Sequence, residues 1–182
     1  MKLSLVAALS VTIAGPALAQ APAPSWPLQP SLAATIAAMP ERLPRAKAPP
    51  VGYSIDLARA AMDACTAKGG KVSVLVTDSL GEPVVLLSGD GAAVRSALVA
   101  RAKSNTVAKY KMPDREVQAK AKNDPKLMAE ITANPDIGAV RGGAFPLMSG
   151  GEMIGILSVS GMFTGGVDDV CAKEAMAKVP LH

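Results

Sequence analysis

The stretch GAVRGGAFPLMSGGEMIGILSVSG, Gly138 to Gly161, leaves this chain fewer choices than any other part of it. Ser149-Gly150-Gly151-Glu152 lies between two apolar runs, the signature of a tight β-hairpin. The second run, Met153 to Ser160, places Met153, Gly155, Leu157 and Val159 on one face and Ile154, Ile156, Ser158 and Ser160 on the other. A strand with large apolar groups on both sides must be covered on both, so it is expected at the centre of a sheet between helices. Gly142-Gly143 before the hairpin and Gly161 after it either shape turns or let backbone approach a ligand closely.

The chain is 182 residues long, enough for one ordinary domain with additions. Lys2, the apolar run Leu3–Ala14 and Ala17-Leu18-Ala19 have the form of a secretory signal peptide over residues 1–19, cleaved before Gln20. Its apolar run is too short to span a membrane, and no later stretch is long enough. A soluble, exported protein of a bacterial periplasm or the medium is therefore expected. Removing residues 1–19 takes away one lysine and no acid, lowering the net charge from +4 to +3. That mild charge, with aromatics at only 3%, excludes a basic arm or stacking platform for nucleic acid.

Residues 20–52 read as a proline-rich, largely extended linker, since 20–50 alone contain eight prolines. The folded body is expected over 53–182. Ser54 suits a helix N-cap, after which Ala58, Ala61, Met62 and Cys65 repeat at helical spacing up to Gly69-Gly70. Lys71–Thr77 alternates as a strand, Asp78-Ser79-Leu80-Gly81 turns, and Val84–Leu87 returns beside it. A long helix is predicted from about Ala92 to Tyr110, short helices and loops over Met112–Asp136, then the hairpin and a last helix from Asp168 to Lys178. Between Arg95 and Lys126 nine basic residues face three acids, either a solvated helix face or an electropositive rim for an anion. The order implies an α+β fold, an antiparallel sheet with helices packed on it. If the first and last helices lie side by side, Cys65 meets Cys171, and an oxidising compartment favours their disulfide over two free buried thiols.

Catalytic motifs are scarce. The sole histidine, His182, is the final residue, which leaves no Ser-His, Cys-His or histidine-rich metal chemistry. Neither Gly-x-Ser-x-Gly nor a P-loop occurs, and Asp168-Asp169 reads first as the acidic start of a helix, with a hard cation the alternative.

Val74-Leu75-Val76-Thr77-Asp78-Ser79-Leu80-Gly81 with Pro83, Ser88-Gly89-Asp90-Gly91-Ala92, Gly142-Gly143 through Pro146, Gly150-Gly151-Glu152, Gly155, Val159-Ser160-Gly161 and Asp168-Asp169 come in an order that resembles the GlcG/HbpS-like family, the haem-degrading domain. The likeness runs from about Tyr53 to Val179. It implies a profilin-like α/β/α sandwich with about five antiparallel strands, homo-oligomers of two or more subunits, and haem or a related tetrapyrrole as ligand. Two blocks depart from the pattern: Ser88-Gly89 stands where the family has Arg-Met, and Ser104-Asn105 where it has Thr-Ala. His182 matches no block, so a haem here lacks a histidine ligand. Tyr110 is then the candidate for the iron, with Lys109 and Lys111 expected to favour its phenolate, and Met112 the other nearby donor. Arg101, Lys103, Lys109 and Lys111 are candidates for the propionates, and Gly142 and Gly143 for close backbone contact. Otherwise Tyr110 is simply an amphipathic residue at a helix end.

Two main readings follow. One is an exported, oligomeric module that binds haem or another small molecule for storage, scavenging or sensing. The other is an enzyme or accessory factor acting on a small organic acid or aromatic compound, with Asp78, Asp90, Lys103 and Asp169 as acid–base groups. The second requires those four to converge on one enclosed pocket. A purely structural oligomeric partner of another exported protein is a third reading.

Overall fold

The computed structural model describes residues 46–137, 141–162 and 166–181. The chain divides into two units, Met1–Leu43 and Pro44–His182. The expected leader, most of the proline-rich segment and His182 lie outside the described residues.

Helix α1, Val51–Thr66, starts directly after Pro50, whose extended backbone forms the cap. Ser54 is therefore not the N-cap. It sits buried one turn in, and its hydroxyl donates to the Pro50 carbonyl at 3.0 Å. The proline pair ends the extended chain four residues earlier than the serine signal suggested. Leu57, Ala58, Ala61 and Cys65 form the buried stripe. Beyond the helix, Gly69 turns left-handed (φ 76°) and the Gly70 amide donates back to the Cys65 carbonyl at 2.8 Å.

Strands β1 (Ser73–Asp78) and β2 (Pro83–Ser88) form one antiparallel hairpin. Helix α2 (Val94–Tyr110) follows, then α3 (Asp114–Ala121) and α4 (Pro125–Ala133). Strands β3 (Ala144–Ser149) and β4 (Glu152–Ser160) form the second hairpin, and α5 (Val167–Lys178) closes the described chain. Gly150 and Gly151 both take positive φ, 57° and 82°, as a two-residue turn matched to strand twist requires.

All pairings are antiparallel, in the order β2-β1-β4-β3. The α+β layering inferred from the sequence holds, with β4 between two neighbours. Four strands are described rather than about five; the larger number came from the family likeness, while the residues themselves supply only four alternating runs. The edge strands β2 and β3 contain Pro83 and Pro146, a residue sheets accept only at their margins.

Helices α1 and α5 cover one face, closing a core of Leu57, Val74, Val76, Phe145, Leu157 and Val159. Cys65 and Cys171 are bonded there, with Cα atoms 5.3 Å apart, so α1 and α5 are joined covalently. Helix α2 covers the other face of β1, β3 and β4, with Val107 against Ala144 and Ile156. Met153 packs on this second side, not with Gly155, Leu157 and Val159 as strict alternation predicts. The register shifts there: Leu147 pairs with Gly155 but Met148 with Met153, so Ile154 is an extra residue in a bulge.

The expected linker boundary at residue 52 also moves. Pro49 is buried on β4, and the Ser79 amide donates to the Lys47 carbonyl at 2.8 Å. Gly155 makes room for this segment: a Cβ there would lie 2.5 Å from the Thr77 carbonyl oxygen and 2.8 Å from Pro49 Cδ. Gly155→Ala is expected to lower unfolding free energy by about 1–3 kcal/mol through overpacking. A denaturant melt of the variant with an unshifted midpoint would contradict that packing.

Candidate functional site

Helix α2 lays its inner side on the sheet through Ser96, Ala100, Lys103, Ser104 and Val107. This layer is unusually polar. Ser73 Oγ lies 2.6 Å from Ser96 Oγ and 3.0 Å from Ser88 Oγ, and Thr77 Oγ1 lies 3.2 Å from Ser104 Oγ. These hydroxyls have partners, which offsets their loss of water, whereas the buried Ser158 hydroxyl on β4 has none among the described residues. Lys103, at 2% exposure, is the largest side chain so enclosed. An isolated buried ammonium would be prohibitive. Its Nζ donates to the Val159 carbonyl and to Asp168 Oδ2, each at 2.8 Å. Asp168 Oδ1 accepts from the Met162 amide at 3.2 Å.

Two further carboxylates hold the glycine segment before β3. Asp114, at the start of α3, accepts from the Gly142 amide at 2.9 Å and the Ala144 amide at 3.0 Å. Asp169 accepts from the Gly143 amide and pairs with Arg115. Gly143 has φ 107°, and a Cβ on it would lie 2.6 Å from the Val159 carbonyl oxygen, 2.7 Å from Asp168 Cβ and 3.0 Å from Lys103 Nζ. The glycine is therefore fixed both by conformation and by its approach to the ion pair. Burial pushes the Asp114 carboxyl above its ordinary value; the two amides and Lys103 oppose that shift, and Asp169 adds to it.

Beside the Lys103–Asp168 pair opens a cavity of about 390 Å³. Its lining includes Arg95, Ser96, Val99, Arg141, Ser160 and Met162. A neighbouring hollow of about 350 Å³, bounded by Gly69, Gly70, Lys71 and Gly91, shares Ala93, Gly161 and Met162 with it. Met162 thus stands between the two.

Of the residues singled out in the sequence, Lys103, Asp168, Asp169, Gly142 and Gly143 come together here. The others do not. Asp78 caps its own turn, accepting from the Leu80 and Glu82 amides at 2.8 and 2.9 Å. Asp90 is exposed in the loop before α2. Arg101 faces Glu82 at 3.6 Å, and Lys111 Nζ donates to the Ser79 carbonyl at 3.4 Å. Tyr110 and Met112 pack on the small cluster of Val117, Ala121, Ile131 and Ile137. The Tyr110 hydroxyl donates to Glu130 at 3.0 Å, and Lys109 pairs with the same carboxylate at 2.5 Å. The expected ease of ionising Tyr110 is reversed: burial and the bond to Glu130 raise its pKa more than Lys109 lowers it.

Asp114, Arg115, Asp168, Arg95, Arg141, Ser160 and Met162 were not anticipated as a group. One signal was readable. Ser96, Ala100, Lys103 and Val107 share a helical face, which puts the lysine among small buried residues and demands an acid opposite it.

A family model described as haem degrading protein HbpS-like matches residues 54–177. Among solved structures, a double mutant of Streptomyces reticuli HbpS is 25% identical with a TM-score of 0.66, covering 86% of this chain and 99% of that one. Klebsiella pneumoniae protein ORFY is 20% identical with a TM-score of 0.68, covering 80% and 100%. A PduOC:heme complex is 23% identical with a TM-score of 0.67, covering 74% and 97%. The last two establish likeness of fold alone. No curated protein matches the chain.

Two outcomes follow from the charge cluster. Lys103→Met should cost about 3–5 kcal/mol, because Asp168 is left buried and unpaired, whereas adding Asp168→Leu should recover part of the loss; equal melts for single and double variants would contradict this. The raised Asp114 value means the folded chain holds that proton more tightly than the unfolded one. Its contribution to stability is complete below pH 3.8 and is lost as pH rises through the raised value. A carboxyl-carbon NMR titration should place the Asp114 midpoint above 3.8; a midpoint at or below it contradicts the direction.

Proposed function

The chain belongs to the HbpS-like family of haem-degrading proteins, and from that membership and the site geometry we propose that it is an exported protein that binds haem or a related small molecule. The observation that carries this reading is the cavity beside the Lys103–Asp168 pair, with two arginines and a thioether on its lining. Storage, scavenging or sensing all fit a site that holds a ligand without an acid–base constellation.

The lining suits a haem. Met162 supplies a soft sulfur donor that can ligate iron, and Arg95 and Arg141 can pair with propionates. Ala93 and Val99 add apolar wall. A bound haem would contribute iron-centred redox and ligand chemistry; the chain's own part is to seat it between the starts of α2 and α5 and limit its contact with water.

The enzyme reading loses support because Asp78 and Asp90 lie in turns away from Lys103 and Asp169. Export is supported by the Cys65–Cys171 bond, which persists in oxidising compartments, and by the leader-like residues 1–19. A homo-oligomer is supported by exposed Leu86 on β2 and by Val94 and Leu98 on α2. No helix among the described residues is long and apolar enough to cross a membrane.

A haemin titration followed by absorbance tests the proposal. A saturable, near-stoichiometric Soret shift that changes in Met162→Ala and persists in Tyr110→Phe is expected. A spectrum matching haemin with an inert carrier would overturn haem as the ligand, and a change confined to Tyr110→Phe would move the site to the α2 C-terminus.

A further inference from the structure

We infer that the two hollows beside Met162 are lobes of one binding site for a flat, multi-ring ligand, and that Met162 is the movable partition deciding what reaches the second lobe. The inference rests on the binding reading above and extends its site to a wall which that reading leaves unused.

The first lobe is the cavity of about 390 Å³ beside Lys103 and Asp168; the second is the hollow of about 350 Å³ bounded by Gly69, Gly70, Lys71 and Gly91. Taken singly, each lies near the low end of the ~300–1,000 Å³ in which proteins enclose drug-sized ligands. Joined, they lie well within it. They adjoin at Ala93, Gly161 and Met162, and of these only Met162 has a side chain long enough to stand across the junction. Its backbone is fixed, because its amide donates to Asp168 Oδ1 at 3.2 Å while Asp168 Oδ2 holds Lys103. Its thioether is placed differently. A Cβ on Gly70 would collide with Met162 Sδ, so the sulfur rests on the bare backbone of the turn after α1. An unbranched side chain with three rotatable bonds can lift off such a surface without moving its own Cα.

The glycines of the second lobe have local reasons to be there. Gly69 and Gly91 take φ of 76° and 72°, which their turns alone explain. Their consequence for a ligand is the shape of the wall, which is backbone where other surfaces carry side chains. Across Gly91 runs the stem of Lys71: a Cβ on that glycine would lie 3.1 Å from Lys71 Cδ and 3.4 Å from its Cε. Such a stem covers apolar surface while its ammonium stays in water. Backbone on one side, methylenes on another and a polarizable sulfur at the entrance suit the face and edge of an aromatic ring. The polar end of the ligand then stays in the first lobe, where Arg95, Ser96 and Arg141 line the wall, and its rings pass Met162 into the second. A tetrapyrrole and a smaller fused aromatic both have this shape.

Calorimetric titration of the full chain with haemin, iron-free protoporphyrin IX and pyrenebutyrate tests the inference, in wild type and in Gly69→Asn, Gly91→Asn and Met162→Ala. Asparagine is the side-chain-bearing residue that best tolerates left-handed backbone. A Cβ at Gly69 meets nothing within 4 Å, and one at Gly91 meets only the flexible Lys71 stem. Each variant therefore fills the second lobe at little cost to folding, a thermal melt verifies this, and either one suffices. If a tetrapyrrole is the ligand, both asparagine variants weaken haemin and protoporphyrin IX roughly tenfold. Met162→Ala binds protoporphyrin IX at least as tightly as wild type, because no thioether has to move aside. If a fused aromatic is the ligand, pyrenebutyrate shows that pattern while haemin fails to bind, which overturns the haem reading and supports the two-lobed site. Haemin bound with wild-type affinity by both asparagine variants overturns the inference and leaves the haem reading intact. Protoporphyrin IX weakened by Met162→Ala as much as by the asparagine variants overturns Met162 as a partition. Binding of none of the three overturns both the inference and the haem reading.

Discussion

A lysine sealed beneath a sheet is tolerable only with a carboxylate against it, and much of the structure follows from meeting that condition. Lys103 reaches Asp168 across the end of β4, and Asp168 stands in the first turn of α5. The pair therefore ties the helix on one face of the sheet to a helix on the other. Replacing it with apolar residues of similar volume need not weaken the fold. What the charges specify is position: they require α2, β4 and α5 to meet in one arrangement, and Gly143 to lie close enough that no side chain fits.

Around that pair the acids are shared out by type of partner. Asp168 serves the ammonium and one amide, Asp169 serves Arg115 and Gly143, and Asp114 serves two amides alone. Asp114 lacks a cation of its own, which is why burial dominates its proton affinity. Two of these anions, Asp114 and Asp169, thus hold a glycine segment with no side chains to fasten. The cavity opens on the side where this arrangement leaves positive charge unanswered.

Much of the architecture was legible because it rests on local rules. The Gly150-Gly151 turn, the two-sided apolar pattern of β4 and the helical stripe ending at Cys65 each dictate their element without reference to distant residues. The misplacements share a different cause. Ser54 lost its cap to Pro50 because two start signals stood within one turn and the stiffer one prevailed. Met153 changed sides through a bulge that depends on the partner strand, which no alternation count contains. Tyr110 was judged by its sequence neighbours, but its hydroxyl answers to Glu130, twenty residues on. The site itself was half visible: Lys103 lies on a readable buried face, whereas Arg95, Arg141 and Ser160 become one locus only when α2, the segment before β3 and the end of β4 are folded together.

The margins of the sheet carry an implication for assembly. Both outer strands hold a proline, Pro83 in β2 and Pro146 in β3, and each strand also takes part in a register shift. A proline sits comfortably at such a position when its nitrogen points away from the neighbouring strand, where it removes a donor from the free border. Neither border is then a good template for another chain to continue the sheet. Ribbon-like growth of the sheet from one copy to the next is consequently disfavoured at both of its margins.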